Sequence, residues 1–248
     1  MYKKVLVCIV ALAVVFSAVF FVAEAVHINL QENKIEEIRP TQSYAYVRSV
    51  LGEAKVSEKY AYPPQNGEES YGTRKIWANE LFLLVGYFND DDSLYGYVLI
   101  SQSEKFRPAN DFCTLQKTNF TDAHNESGCY IDTARGHFCS NVNCASYYME
   151  LYDFGRSPFL YGLAATDIGV GFEAEDFAGI NALSQYQILE TPDIENPATN
   201  QAYEEYRKLR PNAMLLFNNK SEIDYIAFFK EITDRKLAIT YNDLSRVY

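Results

Sequence analysis

The segment KIWANELFLLVGYF (75–88), followed by NDDD (89–92) and LYGYVLIS (94–101), decides the fold class. Aromatic and β-branched residues dominate both long pieces, and a short Asn/Asp stretch separates them, which is the pattern of a β-hairpin. We therefore predict strands at 75–88 and 94–101. The aspartates at 90–92 lack the ligand spacing and the distal glutamate of an EF-hand, so we interpret them as a solvated turn.

The same pattern recurs downstream, where 145–154 and 159–168 form a second predicted hairpin joined through GRSP (155–158). Two short strings also recur, ELF (80–82) as ELY (150–152) and LYG (94–96) as LYG (160–162). A short helix is predicted before the first hairpin, at 43–51, because its apolar residues have helical spacing and Gly52 suits a C-cap. These matches predict a degenerate tandem repeat with halves 43–104 and 105–172.

The flanking segments complete the predicted layout. Turn-forming residues predict a loop at 62–67. The last third, 173–248, is predicted as an elaboration of the domain, with helices at 175–189, 201–209 and 221–233, a loop at 191–200, and strands at 213–217 and 236–241. The predicted class is α+β: an N-terminal transmembrane or signal helix (1–25), a connector (26–42) with a helix at 29–39, and one extracytoplasmic domain (43–248). Within that domain, two related helix-plus-hairpin units share an antiparallel sheet.

The N-terminus has the pattern of an exported chain. Lys3 and Lys4 precede 19 uncharged residues, 5–23, and lysines before a long apolar run stay inside the membrane during export. The run is just long enough to span a hydrocarbon core of about 30 Å as a helix, which favours a retained anchor. The alternative is a cleaved signal, because Ala23-Glu24-Ala25 offers signal peptidase a site before Val26.

Charge excludes one class of partner. After Ala25, the chain has 20 Lys/Arg and 32 Asp/Glu residues, about twelve net negative charges. Nucleic acid selects basic patches, so we expect no nucleic-acid partner. The same balance argues against the domain lying flat on anionic lipid. The expected contact with the membrane is the N-terminal helix.

Four cysteines, Cys113, Cys129, Cys139 and Cys144, lie within 32 residues. In an oxidising compartment an even set predicts two disulfides with three possible connectivities. Because Cys139 and Cys144 can close a small loop, Cys113 with Cys129 is the natural other pair, and the other two connectivities stay open. The alternative is a zinc site formed by His124, Cys129, His137, Cys139 and Cys144, but the spacing does not match a paired C-x2-C knuckle. We expect no metal and no cofactor.

Two further features bear on chemistry. Glu80 and Glu150 occupy corresponding places in the ELF and ELY strings, so an acid/base pair is one interpretation. The simpler one is that each lies on the solvent face of its strand. Neither a nucleophile elbow nor a phosphate-binding loop is found, and no catalytic residue is predicted.

Tyrosine is abundant, with 20 residues, and suits binding surfaces. Four strand tyrosines could line an exposed protein-contact face or belong to the core: Tyr95, Tyr97, Tyr147 and Tyr161.

A short helix ending in Leu51-Gly52, a loop, and the aromatic hairpin 77–88 and 94–100 resemble the small α/β unit of two envelope families. These are the outer-membrane-protein-A-like small lipoproteins and the tandem-domain β-lactamase inhibitor proteins. The segments 106–108, 115–120 and 148–155 are similar to a family of uncharacterised membrane-anchored bacterial proteins. The resemblance covers about half of the exported part, although the chain has no lipid-modified cysteine and its loops are longer. It implies an α+β fold that binds other proteins without catalysis.

The sequence thus leads to one preferred function. We expect a non-enzymatic, membrane-anchored interaction module of the bacterial envelope, facing the periplasm or exterior, with another envelope protein as its partner. The alternative is an exported hydrolase or zinc-dependent enzyme that uses the Cys/His-rich loop 113–144.

Overall fold

The computed structural model describes residues 2–65, 68–137, 145–155, 157–172, 176–178 and 203–218. The predicted elements at 191–200, 221–233 and 236–241 lie outside these residues, as does nearly all of the helix predicted at 175–189. The elements are α1 (Tyr2–Glu36), α2 (Tyr44–Leu51), β1 (Val56–Gln65), β2 (Glu68–Ala78), β3 (Phe82–Phe88), β4 (Leu94–Ser101), α3 (Phe120–Ser127), β5 (Tyr130–His137), β6 (Tyr147–Asp153), β7 (Phe159–Thr166) and β8 (Ala213–Asn218).

All eight strands form one sheet in the order β1-β2-β3-β4-β8-β7-β6-β5. Every neighbouring pair is antiparallel, which confirms the predicted α+β class with an N-terminal apolar helix. The predicted hairpins β3–β4 and β6–β7 are both present. The late strand β8 lies between β4 and β7 and so joins the two hairpins into a continuous sheet.

The prediction of a single strand over 75–88 is wrong, because Asn79 ends β2 and starts a turn. Its Oδ1 accepts hydrogen bonds from the backbone N–H groups of Leu81 (2.8 Å) and Phe82 (3.0 Å). The chain therefore reverses, and β2 pairs with β3, with Trp77 opposite Leu84. The loop predicted at 62–67 is also largely strand, because residues 62–65 belong to β1. β1 pairs with β2 in this region, with Tyr62 opposite Ser70.

Helix α1 runs without interruption from the apolar segment into the predicted connector. It contains the stretch Leu12–Glu36, which has a mean hydropathy of 1.9 in its most apolar window and is long and apolar enough to cross a membrane. Its last turns belong to the domain, because Ile28 and Ile35 are buried in the core, as is Ile38 beyond the helix end. The predicted connector is thus mostly a continuation of the apolar helix.

Both faces of the sheet are buried. On one face α1, α2 and α3 pack against Trp77, Phe88 and Tyr148, among others. The other face is formed by residues such as Val85, Leu215 and Phe217. Continuous burial on both faces explains why the central strands lack a polar side.

Helix α2 was predicted correctly because local chemistry specifies it. The Ser43 side chain accepts a hydrogen bond from the backbone N–H of Tyr46, and the N–H of Gly52 donates to the carbonyl of Arg48. Gly52 has φ +86°, a conformation that favours glycine. The helix therefore starts and ends where its caps lie.

Candidate functional site

The most concentrated polar chemistry in the core surrounds Glu150 of β6. Its side chain is fully buried, and the hydroxyls of Tyr148 and Tyr152 donate to its two oxygens at 2.6 and 2.5 Å. The three residues share one face of β6 because they alternate along the strand. Arg207, which follows the helical turn 203–206, places Nε 3.1 Å from Glu150 Oε1.

Burial dominates the electrostatics of this cluster. It raises the pKa of Glu150, and the hydrogen bonds from Tyr148 and Tyr152 and the charge of Arg207 offset only part of that effect. Burial and the neighbouring carboxylate raise the pKa values of Tyr148 and Tyr152. Both phenols therefore stay protonated and remain donors at every physiological pH.

Aromatic rings enclose the ion pair. The rings of Tyr148 and Tyr206 stack at 4.9 Å and 3°, and Phe120 of α3 meets Tyr148 edge-on at 4.9 Å. Arg207 lies 5.5 Å from the ring centroid of Tyr203. The cluster thus connects β6, α3 and the turn 203–206 through rings whose packing excludes water.

Three buried nitrogen atoms near the cluster have no hydrogen-bond partner among the described residues: His124 Nδ1, Arg207 Nη2 and Arg207 Nε, whose contact with Glu150 is an ion pair. Burial and the positive charge of Arg207 lower the pKa of His124, so its imidazole is neutral near pH 7. The carboxylate, in contrast, already has a donor on each oxygen. This arrangement stabilises a fixed packing and leaves no open position at Glu150 for a substrate.

The structure separates the two glutamates that the sequence suggested as a pair. Glu80 lies in the turn between β2 and β3 with its side chain 65% exposed, and His27 Nε2 is 3.8 Å from its Oε1. Glu150 lies in the middle of β6 and pairs with Arg207. The ELF and ELY strings therefore fall at different places in their hairpins. Glu80 is exposed, as predicted, but in a turn and not on the face of a strand, and the solvent-face interpretation is wrong for Glu150.

The structure corrects the predicted tyrosine face, because three of its four tyrosines are buried. Tyr95, Tyr97 and Tyr147 are only 2%, 3% and 6% exposed, so the core interpretation applies to them, while Tyr161 is half-buried. A β-bulge interrupts the register of β3 and β4: Tyr87 is opposite Gly96 and Phe88 is opposite Leu94, so Tyr95 is the extra residue of β4. As a result, Tyr95 packs on the opposite face of the sheet from Tyr97. Burial of Tyr97 raises its pKa to about 12.

The cysteines are only partly within the described residues. Cys113 is a buried thiol, and no disulfide joins it to Cys129, so the predicted pairing of these two is not found. Burial raises the pKa of Cys113 to about 12, against a hydrogen bond with Thr118. Cys139 and Cys144 lie outside the described residues, as does the side chain of His137. Within the described part of the chain, no cluster of three potential metal ligands occurs.

The β1–β2 hairpin forms a candidate contact surface that sequence reasoning missed. The ladder between β2 and β3 begins at Thr73, opposite Phe88, whereas β1 and β2 pair as far as Gln65 and Glu68. The hairpin therefore extends beyond β3 as a two-stranded arm, which we define as residues 60–65 and 68–72. No described strand pairs with the outer edge of β1, and Tyr71 in the arm is 48% exposed.

Sequence reasoning also missed Arg207, which no motif marks. The available signal was the alternation Tyr148-x-Glu150-x-Tyr152, in which an acidic residue shares a strand face with two large aromatic residues. Such a pattern indicates a buried acid, and a buried acid requires a distant basic partner. No known protein family, curated protein or solved structure matches this chain.

Proposed function

We propose that this protein is a non-enzymatic, membrane-anchored interaction module of the bacterial envelope, and that the β1–β2 arm contacts its partner. The observation that carries the proposal is the arm itself. A two-stranded ribbon that extends beyond its sheet is marginally stable in water. An additional strand pairing with the outer edge of β1, which no described strand covers, would complete it, as in recognition by β-augmentation.

The arm offers both elements of such an interface. The outer edge of β1 supplies backbone donors and acceptors, and Tyr71 supplies a large aromatic side chain with a polar end. Exposed tyrosines are frequent among the residues that contribute most to binding energy. Of the four strand tyrosines, Tyr95, Tyr97 and Tyr147 are buried and Tyr161 is half-buried, so the arm replaces them as the proposed surface.

Support for a non-enzymatic role comes from the Glu150 cluster. A general acid or base must reach a substrate, whereas Glu150 is fully buried and each of its oxygens already accepts a hydrogen bond. The cluster is explained by stability. The alternative enzyme that uses loop 113–144 gains no specific support from the described residues.

Anchoring is supported by the continuity of α1. Because Ile28 and Ile35 are buried in the domain, movement of the domain and of the apolar helix is coupled. We propose that the helix is retained, with Lys3 and Lys4 inside and the domain outside. The intact mass of the protein purified from membranes tests this: a chain that starts at Met1 supports retention, and one that starts at Val26 contradicts it.

A photo-crosslinking amino acid placed at Tyr71 in the full chain tests the contact surface in the native envelope. Tyr46 is the matched control, because it is 42% exposed on α2 and lies outside the arm. We expect one defined adduct from position 71 and none from position 46. We also expect Tyr71→Ala to weaken retention of that partner by roughly 30-fold, as for a residue central to an interface. Equal labelling from both positions would contradict the proposal.

A further inference from the structure

Four basic residues from two distant segments of the chain, 105–107 and 208–210, lie together beside α1. Arg107, Lys208 and Arg210 line a cleft of about 480 Å³ together with one acidic residue, Glu104. The cleft therefore has a formal charge of +2 in a chain whose net charge is −11. The fourth, Lys105, lines an adjoining cavity of about 540 Å³ that shares Glu104 and Arg107 with the first. Glu24 and Glu32 also line this second cavity, so the positive charge is concentrated in the cleft and the two cavities together carry a formal charge of +1.

The adjoining cavity connects the basic cleft to the apolar helix. Its wall includes Phe21, Ala25 and Ile28 of α1, and Lys105 Nζ lies 2.6 Å from Glu24 Oε1. Glu24 is the first charged residue after the apolar run, so Lys105 lies at the edge of the hydrocarbon layer. This is the level at which lipid phosphates begin.

The second cation, Arg107, lies slightly farther out. Its backbone N–H donates to Glu32 Oε1 at 2.5 Å. Glu32 follows Glu24 by eight residues, which is roughly 12 Å along the helix axis. A headgroup layer is about 5–8 Å thick. The gap between the outer surface of that layer and the level of Glu32 is therefore smaller than the Debye length of about 8 Å at physiological salt. The charge of the basic cleft therefore attracts headgroups across this gap, and a lipid held in the cleft is raised out of the layer by the same distance.

The arginines of the cleft can bind an anion, because neither is paired with a carboxylate among the described residues. Arg107 Nε donates to the carbonyl of Glu104, which leaves its charge without a carboxylate. Arg210 has no ion pair among the described residues, and Lys208 pairs with Glu205. Two guanidinium groups without acidic partners, at the membrane side of an acidic protein, form a site suited to phosphate.

We propose that this cleft binds the phosphate of an anionic phospholipid whose acyl chain lies along Phe21, Ala25 and Ile28. The apolar wall continues the hydrocarbon layer. Arg107 and Arg210 provide the charge that selects the headgroup, because Lys105 is already paired with Glu24. The site differs from the β1–β2 arm in both residues and ligand. It rests on the proposed retention of the anchor, which the intact mass checks separately.

The test uses the full chain in nanodiscs of phosphatidylcholine and phosphatidylglycerol, released into detergent and examined by native mass spectrometry. We compare the wild type with the double variant Arg107→Gln, Arg210→Gln, and with Arg48→Gln. Arg48 is an exposed arginine of α2 that lines neither cavity, so it controls for a general loss of positive charge.

We expect the wild type and Arg48→Gln to retain phosphatidylglycerol preferentially. Each interfacial cation contributes about a fivefold preference, so the double variant should lose roughly 30-fold. Equal retention in all three proteins, or equal retention of both lipids, would overturn the proposal. Both arginines are exposed, and an unchanged urea midpoint of the double variant, read from Trp77 fluorescence, confirms that it is folded.

Soluble glycerol phosphate separates the two sources of phosphate. We expect it to displace retained lipid only weakly, because it lacks the acyl chain that lies against α1. If glycerol phosphate binds with the same dependence on Arg107 and Arg210 while no phosphatidylglycerol is retained, the ligand is a free phosphate compound. That result would overturn the lipid assignment.

Discussion

Arg207 Nε lies 3.1 Å from Glu150 Oε1, and the two side chains are 12% and 0% exposed. Their positions are 57 residues apart in sequence. This contact fixes the turn 203–206 against β6, just before the chain enters β8 at the centre of the sheet. It acts together with the hydrogen bonds of Asn212, which join the start of β8 to Ser101 of β4 and to Ala164 and Thr166 of β7.

Removal of Arg207 should destabilise the protein strongly. Arg207→Met leaves the Glu150 carboxylate buried without its cation, and breaking a buried ion pair in this way costs about 3–5 kcal/mol. Urea denaturation of the full chain in detergent, followed by the fluorescence of the single tryptophan, Trp77, measures the loss. Arg210→Met is the matched control, because this exposed arginine should change stability by less than about 0.5 kcal/mol.

A double variant separates charge from packing. Glu150→Gln in the Arg207→Met background removes the uncompensated charge and keeps an acceptor for the tyrosine hydroxyls. We therefore expect the double variant to be more stable than Arg207→Met alone. If both are equally unstable, the contribution of Arg207 is its packing.

The deficit of Arg207→Met should depend on pH. Burial already raises the pKa of Glu150 in the folded wild type, and loss of the Arg207 charge raises it further. The folded state then binds the proton more tightly than the unfolded state, whose glutamate pKa is about 4.3. The resulting stability is present below that pH and is lost as the pH rises through the folded pKa.

We therefore expect the difference in unfolding free energy between wild type and Arg207→Met to be smallest near pH 4.5. It should grow toward pH 8. Taking the difference cancels the titration of the other carboxylates. A deficit that stays constant with pH would contradict a charge-based origin.

Gly96 should tolerate no side chain. A Cβ at this position would lie 2.1 Å from the Phe217 ring, whereas at Gly162 the nearest side-chain atom would be 3.0 Å away. Overpacking a core costs about 1–3 kcal/mol, so Gly96→Ala should destabilise the protein by more than Gly162→Ala. The cost of Gly96→Ala should fall in a Phe217→Leu background, and an unchanged cost would show that Phe217 is not the obstacle.

Cys113 should react with maleimide only after unfolding, and without prior reduction. Its thiol is buried, with a pKa raised to about 12, so it has almost no thiolate in the folded protein. Peptide mapping by mass spectrometry, with and without urea and reductant, measures this directly. A requirement for reductant would instead support the disulfide with Cys129 that the sequence predicts.

The last turns of α1 should contribute to the stability of the domain. Ile35 is 1% exposed and Leu30 on the same helix is 56% exposed. Ile35→Ala should therefore cost about 2–5 kcal/mol in urea denaturation, while Leu30→Ala should change little. Similar values for the two variants would show that the helix and the domain unfold independently.

The sequence alone determined the features that local chemistry encodes. The apolar run after Lys3 and Lys4 indicates a helix that can enter a membrane, and the cap residues Ser43 and Gly52 define α2. The hairpins β3–β4 and β6–β7, and strand β8, follow from β-forming runs bounded by turn residues. Each of these signals lies within about twenty consecutive residues, so no knowledge of distant contacts was needed.

Only the tertiary structure decided the rest, because the deciding contacts join distant segments. Burial of Glu150 depends on Arg207, and the pairing of β2 with β3 depends on the turn at Asn79. The basic cleft depends on folding that brings Arg107 beside Arg210. The exposure of a strand tyrosine such as Tyr97 likewise depends on what packs against both faces of the sheet. Alternation along one strand records which residues share a face, but it carries no information about what covers that face.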